Sequence, residues 1–367
     1  MKATRFLAIV GRRWGASAAM ASRLREVSGA RKSLQVRIER PRLLLLASVG
    51  AEIMMSQDGG QAVLGPVFCK ETGERVSPTG TTLSADIRNL PGAHWGHYVA
   101  FSVDDGQPVR ILRAPFGSLP CFYIAMDDGV MAGSDLAMLE LGGGARRGID
   151  WAQVLCQLVA RDIPRSSTCL AGVHELRGGD CLEVQGQSVS AISVWSPWNC
   201  CAVKDRYIDR ADAADTVREA VVGAVRAETE TSERPLLMLS GGLDSSIVGA
   251  ALTRAGKPFA CLNLVSADRS GDERCYARLA AAAFGAGLEE AARQVGNVDV
   301  TASEGAHLPR PSARGFIQDS QRLTLAAAQA GGCDLAIDGG GGDNVFCSLQ
   351  SVSPVADALR HAGGWRD

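Results

Sequence analysis

Residues 240–246 read Ser-Gly-Gly-Leu-Asp-Ser-Ser, between the apolar run Leu236-Leu237-Met238-Leu239 and a helical stretch from Ile247 to Ala255. Strand, glycine turn and helix N-terminus in that order make a place to hold phosphate. Glycine lets the backbone approach an anion and adopt positive φ. The unsatisfied N–H groups of a first helical turn point at it. Ser240, Ser245 and Ser246 add hydroxyls, and Asp244 can hold a divalent metal against the phosphates. A helix dipole contributes only about 0.3–1 kcal/mol at an exposed site, so several donors must converge. A Ser/Gly-rich loop before a capped helix is the plain alternative; the agreement of strand, loop and helix argues against it.

Outward from that loop, the second half of the chain alternates strands and helices. Helical periodicity covers Ala211–Thr229, and Pro235–Leu239 reads as a strand followed by a helix over Ser245–Arg254. Phe259–Val265 reads as the next strand and Glu273–Phe284 as an alanine-rich helix. A helix over Gly315–Ala330 and a strand over Asp334–Asp338 close the pattern. Such alternation predicts a doubly wound parallel sheet, whose ligands bind beyond the carboxyl ends of the strands. That last strand runs into Asp338-Gly-Gly-Gly-Gly-Asp-Asn344. Four glycines in a row are costly in chain entropy, which points to a close approach of backbone to ligand. Asp343 would join Asp244 as a second metal ligand, since Mg²⁺ takes one or two carboxylates beside phosphate oxygens.

The first half is different. Short apolar runs at Arg5–Val10, Leu43–Ser48, His97–Val103, Arg110–Arg113, Cys121–Met126, Gly129–Gly133 and Cys181–Val184 are broken by Gly, Pro and Asp. They predict a layered antiparallel β domain, with a helix near Ala18–Val27. A proline and polar residues within Trp195–Val203 mark the boundary, giving domains 1–200 and 201–367. The Gly-rich string at 142–148 follows no buried strand and is read as a turn.

Composition narrows the class. The chain has 367 residues, 46% hydrophobic and 21% charged, with net charge −2, ordinary for a globular protein. Residues 1–42 carry eleven basic and two acidic side chains, leaving −11 on the remainder. This basic start is transit-peptide-like in composition but is read as folded structure. Neither an overall basic balance nor an aromatic-studded basic stripe is present, so nucleic acid is not an expected partner. No apolar run reaches the roughly 20 residues that span a bilayer, so no membrane partner is expected. Eleven cysteines, an odd number without a Cys-x-x-Cys pair, read as reduced thiols of a cytoplasmic protein. The five dispersed histidines suggest no zinc site.

No Gly-x-x-x-x-Gly-Lys-Ser/Thr string occurs, so the loop is not a Walker loop and γ-phosphoryl transfer is disfavoured. Ser-Gly-Gly-x-Asp-Ser instead resembles the pyrophosphate loop of the N-type ATP pyrophosphatases, which release pyrophosphate and leave AMP on a substrate. Paired with Asp338–Asn344, and with Phe259–Val265 followed by Asp272-Glu273 and Tyr276-Ala277, it resembles the synthetase domain of the asparagine synthetase superfamily. The resemblance implies ATP and Mg²⁺ as cofactors, adenine against Met238 and Leu262, and ribose or phosphate near Asp338 and Gly339. It implies pyrophosphate on Ser240, Gly241, Gly242, Ser245 and Ser246, with Mg²⁺ on Asp244 and Asp343. Asp338 stands where the family usually has serine, so its contact would have to run through backbone. Gly96–Asp104, Arg113–Pro120, Ala132–Leu139 and Leu170–Leu182 resemble the family's glutaminase half, an N-terminal-nucleophile-hydrolase-like domain.

That glutaminase needs a cysteine exposed after removal of the initiator methionine, its α-amine serving as base. Residue 2 is Lys2 and the first cysteine is Cys69, so glutamine hydrolysis is not expected. Superfamily members without that cysteine use an amine already in the substrate. Asn344 where asparagine synthetases usually have glutamate, the Ser348–Ala358 stretch, and His307-Leu-Pro-Arg-Pro311 resemble lasso-peptide cyclases. The implied function is adenylation of a carboxylate and macrolactam (isopeptide) closure of a precursor peptide, with a leader-binding protein and a processing protease as possible partners. Glutamine-hydrolysing asparagine synthase is the alternative within the family; a catalytically impaired binding subunit is the alternative outside it. A tRNA-thiolating or -amidating enzyme with the same loop is disfavoured by charge. The chain ends 23 residues beyond Asn344, where family members continue. It is therefore expected to be C-terminally truncated, with the amine-activating residues in the missing segment and no catalytic residue assignable.

Overall fold

The computed structural model describes residues 4–11, 22, 33–77, 86–104, 106–127, 129–144, 147–160, 163, 165–202, 207–265, 271–302, 305, 308–311 and 317–345. The helix expected near Ala18–Val27 lies outside them apart from position 22, as do His307 and Ser348–Ala358. Two compact units emerge. One comprises Lys2–Ile208 with Thr301–Arg314, the other Asp209–Val300 with Gly315–Asp367. The sequence division at 200/201 did not foresee the interruption at 301–314.

In the first unit the short apolar runs become two antiparallel six-stranded sheets. One holds β1 (Phe6–Gly11), β2 (Leu34–Arg40), β3 (Leu43–Ser48), β10 (Phe122–Met126), β11 (Gly129–Gly133) and β12 (His174–Glu175), in the order β12-β10-β11-β1-β3-β2. The other holds β4 (Ile53–Met55), β5 (Gln61–Leu64), β8 (Val99–Ser102), β9 (Val109–Arg113), β13 (Asp180–Gln185) and β14 (Ser188–Ser193), in the order β14-β13-β9-β8-β5-β4. A two-stranded ribbon pairs β6 (Val67–Cys69) with β7 (His94–Gly96).

Period-2 alternation explains why β1 is apolar at nearly every position. Phe6, Ala8 and Val10 face inward against Leu64, Phe101, Ile111 and Leu182 of the other sheet, and Phe6 meets Phe101 edge-on at 5.7 Å. Leu7 and Ile9 face outward, against Met138 and Leu139 of the helix α2 (Leu136–Leu141). The outer face of the second sheet is covered by Ile87 and by Leu90 of the short helix α1 (Leu90–Ala93). Burial of each such large side chain contributes roughly 1.5–3 kcal/mol. Helix α3 (Trp151–Val159) is capped by Asp150, yet buries none of its residues. Within this unit Glu175 joins Arg113 of β9 (2.7 Å) to Arg310, and Cys169 N donates to Pro309 O at 2.9 Å.

The second unit is a four-stranded, wholly parallel sheet in the order β17-β16-β15-β18. Its strands are β15 (Pro235–Met238), β16 (Ala260–Val265), β17 (Gly287–Ala292) and β18 (Leu335–Ile337). Helices α4 (Arg210–Glu228), α5 (Leu243–Arg254) and α6 (Arg274–Phe284) cover one face, through Val225, Leu252 and Ala281 packed on Leu237 and Cys261. Helix α7 (Ile317–Gly331) covers the other, through Ala327 on Leu236 and Leu262. Helices on both faces of parallel strands make the unit doubly wound. After β15 the chain first builds outward through β16 and β17, then crosses back to place β18 on the opposite side of β15. The switch point of the sheet therefore lies between β15 and β18, and it is at the carboxyl ends beside such a point that doubly wound sheets offer a crevice for ligands.

Candidate functional site

The two glycine clusters leave the sheet on either side of that switch point. Leu239 N donates to Leu262 O at 2.8 Å, extending the ladder one residue past β15. The chain then turns sharply. Gly241 has φ +84, and a Cβ there would also strike the backbone of Tyr276 and Ala277 in α6, so glycine is required twice over. Gly242 is the N-cap of α5, extended at φ −69 and ψ 170, with no side chain capping the helix. The first-turn N–H groups are left facing the crevice without the usual capping oxygen.

The serines divide the work differently from the sequence expectation. Ser240 Oγ accepts from Gly242 N at 3.1 Å and lies 3.1 Å from Ser245 Oγ, which donates to Gly242 O at 3.2 Å. A hydroxyl has one proton to give. Ser245, buried at 6% exposure, spends its proton inside the loop. It holds the cradle, and its hydroxyl is not a free donor to phosphate. Ser246 is half-buried at the next position, its N–H bonded to Gly242 O at 3.1 Å.

From the other side, β18 ends and Asp338–Gly341 follow. Asp338 is exposed, and its carboxylate accepts from Gly340 N at 2.8 Å. The negative charge that stands in place of the family's serine is thus engaged by its own turn. Gly341 takes φ +102, and the one-turn helix α8 (Gly342–Val345) begins. A Cβ on Gly339 would lie 2.6 Å from Ser245 N and 3.0 Å from Asp244 Cβ. One on Gly342 would lie 2.5 and 2.6 Å from the two Asp244 carboxylate oxygens. The two loops therefore touch, and do so only because both contact positions lack a side chain. Asp343 follows Gly342 directly; its side chain lies outside the described residues.

Asp244 fits a divalent cation. It is half-buried over Gly342, and no donor among the described residues occupies its oxygens. Among the described residues no group of three or more His, Cys, Asp or Glu could hold a metal by itself; a cation on Asp244 would need further ligands from phosphate and water.

Of the two positions implied for adenine, Met238 is half-buried on the α7 face, with Thr324 Oγ1 3.7 Å from its sulfur. The side chain of Leu262 is fully buried with Leu236 and Ala327, so an adenine contact at this position would have to run through the strand backbone. Period-2 alternation turns the side chain into the core. Its neighbour Asn263, which the sequence reading did not single out, positions the loop. Asn263 is 4% exposed, and its Nδ2 donates to Leu239 O at 2.7 Å, pinning the strand end from which the loop departs. A lone amide within the apolar run Ala260–Val265 was the available signal. At the start of α6, the Arg274 side chain grips Asp272 and holds its carboxyl down at about 2.

Fold and loops together define a doubly wound parallel-sheet unit with two glycine-rich loops meeting at its switch point. More particularly, residues 216–363 match the family described as asparagine synthase, which supports the asparagine synthetase superfamily for this segment. No curated protein matches the chain by sequence. Two solved structures show slight likeness. One is titled the allosteric regulatory enzyme of purine biosynthesis, with 8% identity, TM-score 0.32, and coverage of 92% of this chain and 89% of that one. The other is glutamine phosphoribosylpyrophosphate (PRPP) amidotransferase from B. subtilis complexed with ADP and GMP, at 9%, 0.32, 92% and 90%. Likeness at that level carries no inference. No helix among the described residues is long and apolar enough to cross a membrane.

Proposed function

We propose that this chain uses ATP to adenylate a carboxylate and passes the acyl group to an amine, closing a macrolactam (isopeptide) in a precursor peptide. The supporting observation is the closure of Gly339 and Gly342 onto Asp244 and Ser245, which puts a metal-competent carboxylate beside uncapped helix N–H groups. The asparagine synthase match over residues 216–363 supports ATP-dependent amide formation as the reaction class.

In this reading the substrate carboxylate attacks the α-phosphorus of ATP and pyrophosphate departs into the Gly241–Ser246 cradle. The N–H groups at the start of α5 receive it, and Ser240 can give its hydroxyl proton. Asp244, with Asp343, would hold Mg²⁺, which neutralises the departing charge when bound. The amine then attacks the acyl-adenylate carbonyl, and AMP leaves. Tethering amine and acid in one peptide gives effective concentrations that reach about 10⁵–10⁸ M in well-oriented cases.

In this reading the attacking amine belongs to the precursor peptide itself and is not ammonia from glutamine. Cys69 lies within β6, its N–H bonded to Glu74 O, so its nitrogen is a backbone amide and not a free α-amine. A leader-binding protein and a processing protease are the proposed partners. Mass spectrometry of a co-expressed precursor peptide tests the reading. Loss of one water that depends on this chain is the expected result, whereas glutamate release from glutamine by the purified protein would replace it with an amidotransferase.

A further inference from the structure

At the opposite end of the parallel sheet, under the amino ends of the strands, lies a second cavity of about 320 Å³. Its walls come from the residues that immediately precede three strands: Arg234 before β15, Phe259 before β16 and Ala286 before β17. Thr253 and Phe284, at the last turns of α5 and α6, close the sides. The volume falls at the lower end of the range of small-molecule sites.

The apolar side is built rigidly. Phe259 and Phe284 lie 6.1 Å apart, tilted by 49°. The Phe284 ring is seated against Gly249 of α5, where any Cβ would overlap it. Gly285, at φ +66, ends α6 and turns the chain into β17. The polar side is cationic. Lys257 Nζ donates to Glu230 O (3.2 Å) and Ser232 O (3.0 Å). These are neutral acceptors, so a third ammonium proton and the full charge remain. Among the described residues the Arg234 guanidinium has no hydrogen-bond or ion-pair partner; only its backbone is engaged, the N–H donating to the Asp334 carboxylate at 3.4 Å and the carbonyl accepting from Asp334 N at 3.2 Å. The Asp334 carboxylate is itself taken up by Ser232 Oγ, Glu233 N and Arg234 N.

We infer that this cavity is a second ligand site, distinct from the nucleotide crevice, which takes a small carboxylate carrying an aromatic or branched apolar body. The body would complete the Phe259–Phe284 cluster, and the carboxylate would meet Arg234 in the two-pronged geometry that guanidinium favours. The site does not depend on the activity proposed above.

Benzoate is the probe, benzyl alcohol its neutral counterpart, and the full chain the receptor, followed by saturation-transfer NMR with titration. Benzoate should bind saturably, benzyl alcohol about tenfold or more weaker. Arg234→Gln, which keeps the backbone contact to Asp334, should weaken benzoate about tenfold at unchanged melting temperature. Lys257→Met should weaken it in the same sense, and excess Mg-ATP should not displace it. Absence of saturable binding, equal affinity for the two probes, indifference to Arg234→Gln, or displacement by Mg-ATP would each overturn the inference.

Discussion

Replacing Gly339 with alanine probes whether the two loops really close on each other. Gly339 does not hold a left-handed backbone, so alanine is conformationally acceptable and the cost is steric alone. The added methyl would lie 2.6 Å from Ser245 N and 2.8 Å from Asp244 C. Both are backbone atoms of a helix start, so relief requires β18 and α5 to part. Overpacking of this kind costs about 1–3 kcal/mol. Borne by ligand affinity, that is roughly 5- to 150-fold in Kd. The methyl would also cover the Ser245 N–H, so binding should suffer more than stability. Gly340→Ala is the control, because its Cβ would meet chiefly the movable Asp338 carboxylate, at 2.8 Å. Calorimetric titration with a non-hydrolysable ATP analogue and Mg²⁺, beside thermal melts, reads both. If Gly339→Ala binds the analogue like the parent, or Gly340→Ala loses as much, the crevice between β15 and β18 is not where the nucleotide sits.

Other outcomes follow from the same geometry. Asp244→Ala should abolish precursor-dependent pyrophosphate release while leaving the melting temperature close to that of the parent, read by a pyrophosphate assay. Asn263→Val leaves the buried Leu239 carbonyl unpaired and should destabilise by about 1–3 kcal/mol, with a matching loss of nucleotide affinity; denaturant unfolding and titration check the two. In the first unit Asp135 caps α2 through Met138 N and binds Arg5 at 2.7 and 2.9 Å. Burial alone would raise its carboxyl, but Arg5 and Ser134 outweigh that and hold it below its usual 3.8. The stabilisation is thus fully present above about pH 4 and lost as pH falls through the lowered folded value. Asp135→Asn should cost about 1 kcal/mol at neutral pH, discounted for the exposure of Arg5. Unfolding curves at pH 7 and 3 should show the difference from the parent shrinking in acid.

Legibility followed the strength of local patterning. Pro235–Met238, its glycine turn and α5 were readable because strand, turn and helix signals agree within twenty residues. β10 and β11 declared themselves by apolar runs around a turn. β17 did not: Gly-Leu-Glu-Glu-Ala-Ala suits a helix, and only its parallel pairing with β16 over six positions makes it a strand. At the site, residue types were legible but their division of labour was not. Which serine spends its proton internally, or that Leu262 faces the core, depends on side-chain direction across the sheet, which spacing alone does not fix. The inclusion of Thr301–Arg314 in the first unit goes with contacts such as Arg310 meeting Glu175, 135 residues away in sequence, and no local signal encodes such a pairing.

That excursion bears on how the gene can be dissected. Because the chain leaves the parallel-sheet unit after Val300 and rejoins it at Gly315, no single cut yields two self-sufficient halves. A fragment starting at Asp209 would carry Arg310 and Pro309 without Glu175 and Cys169 to receive them, leaving a sticky, charged loop in place of an anchored one. Separate expression of the halves calls for bridging 300 to 315 with a short polar linker, and a library of such bridges would show which lengths let the sheet close.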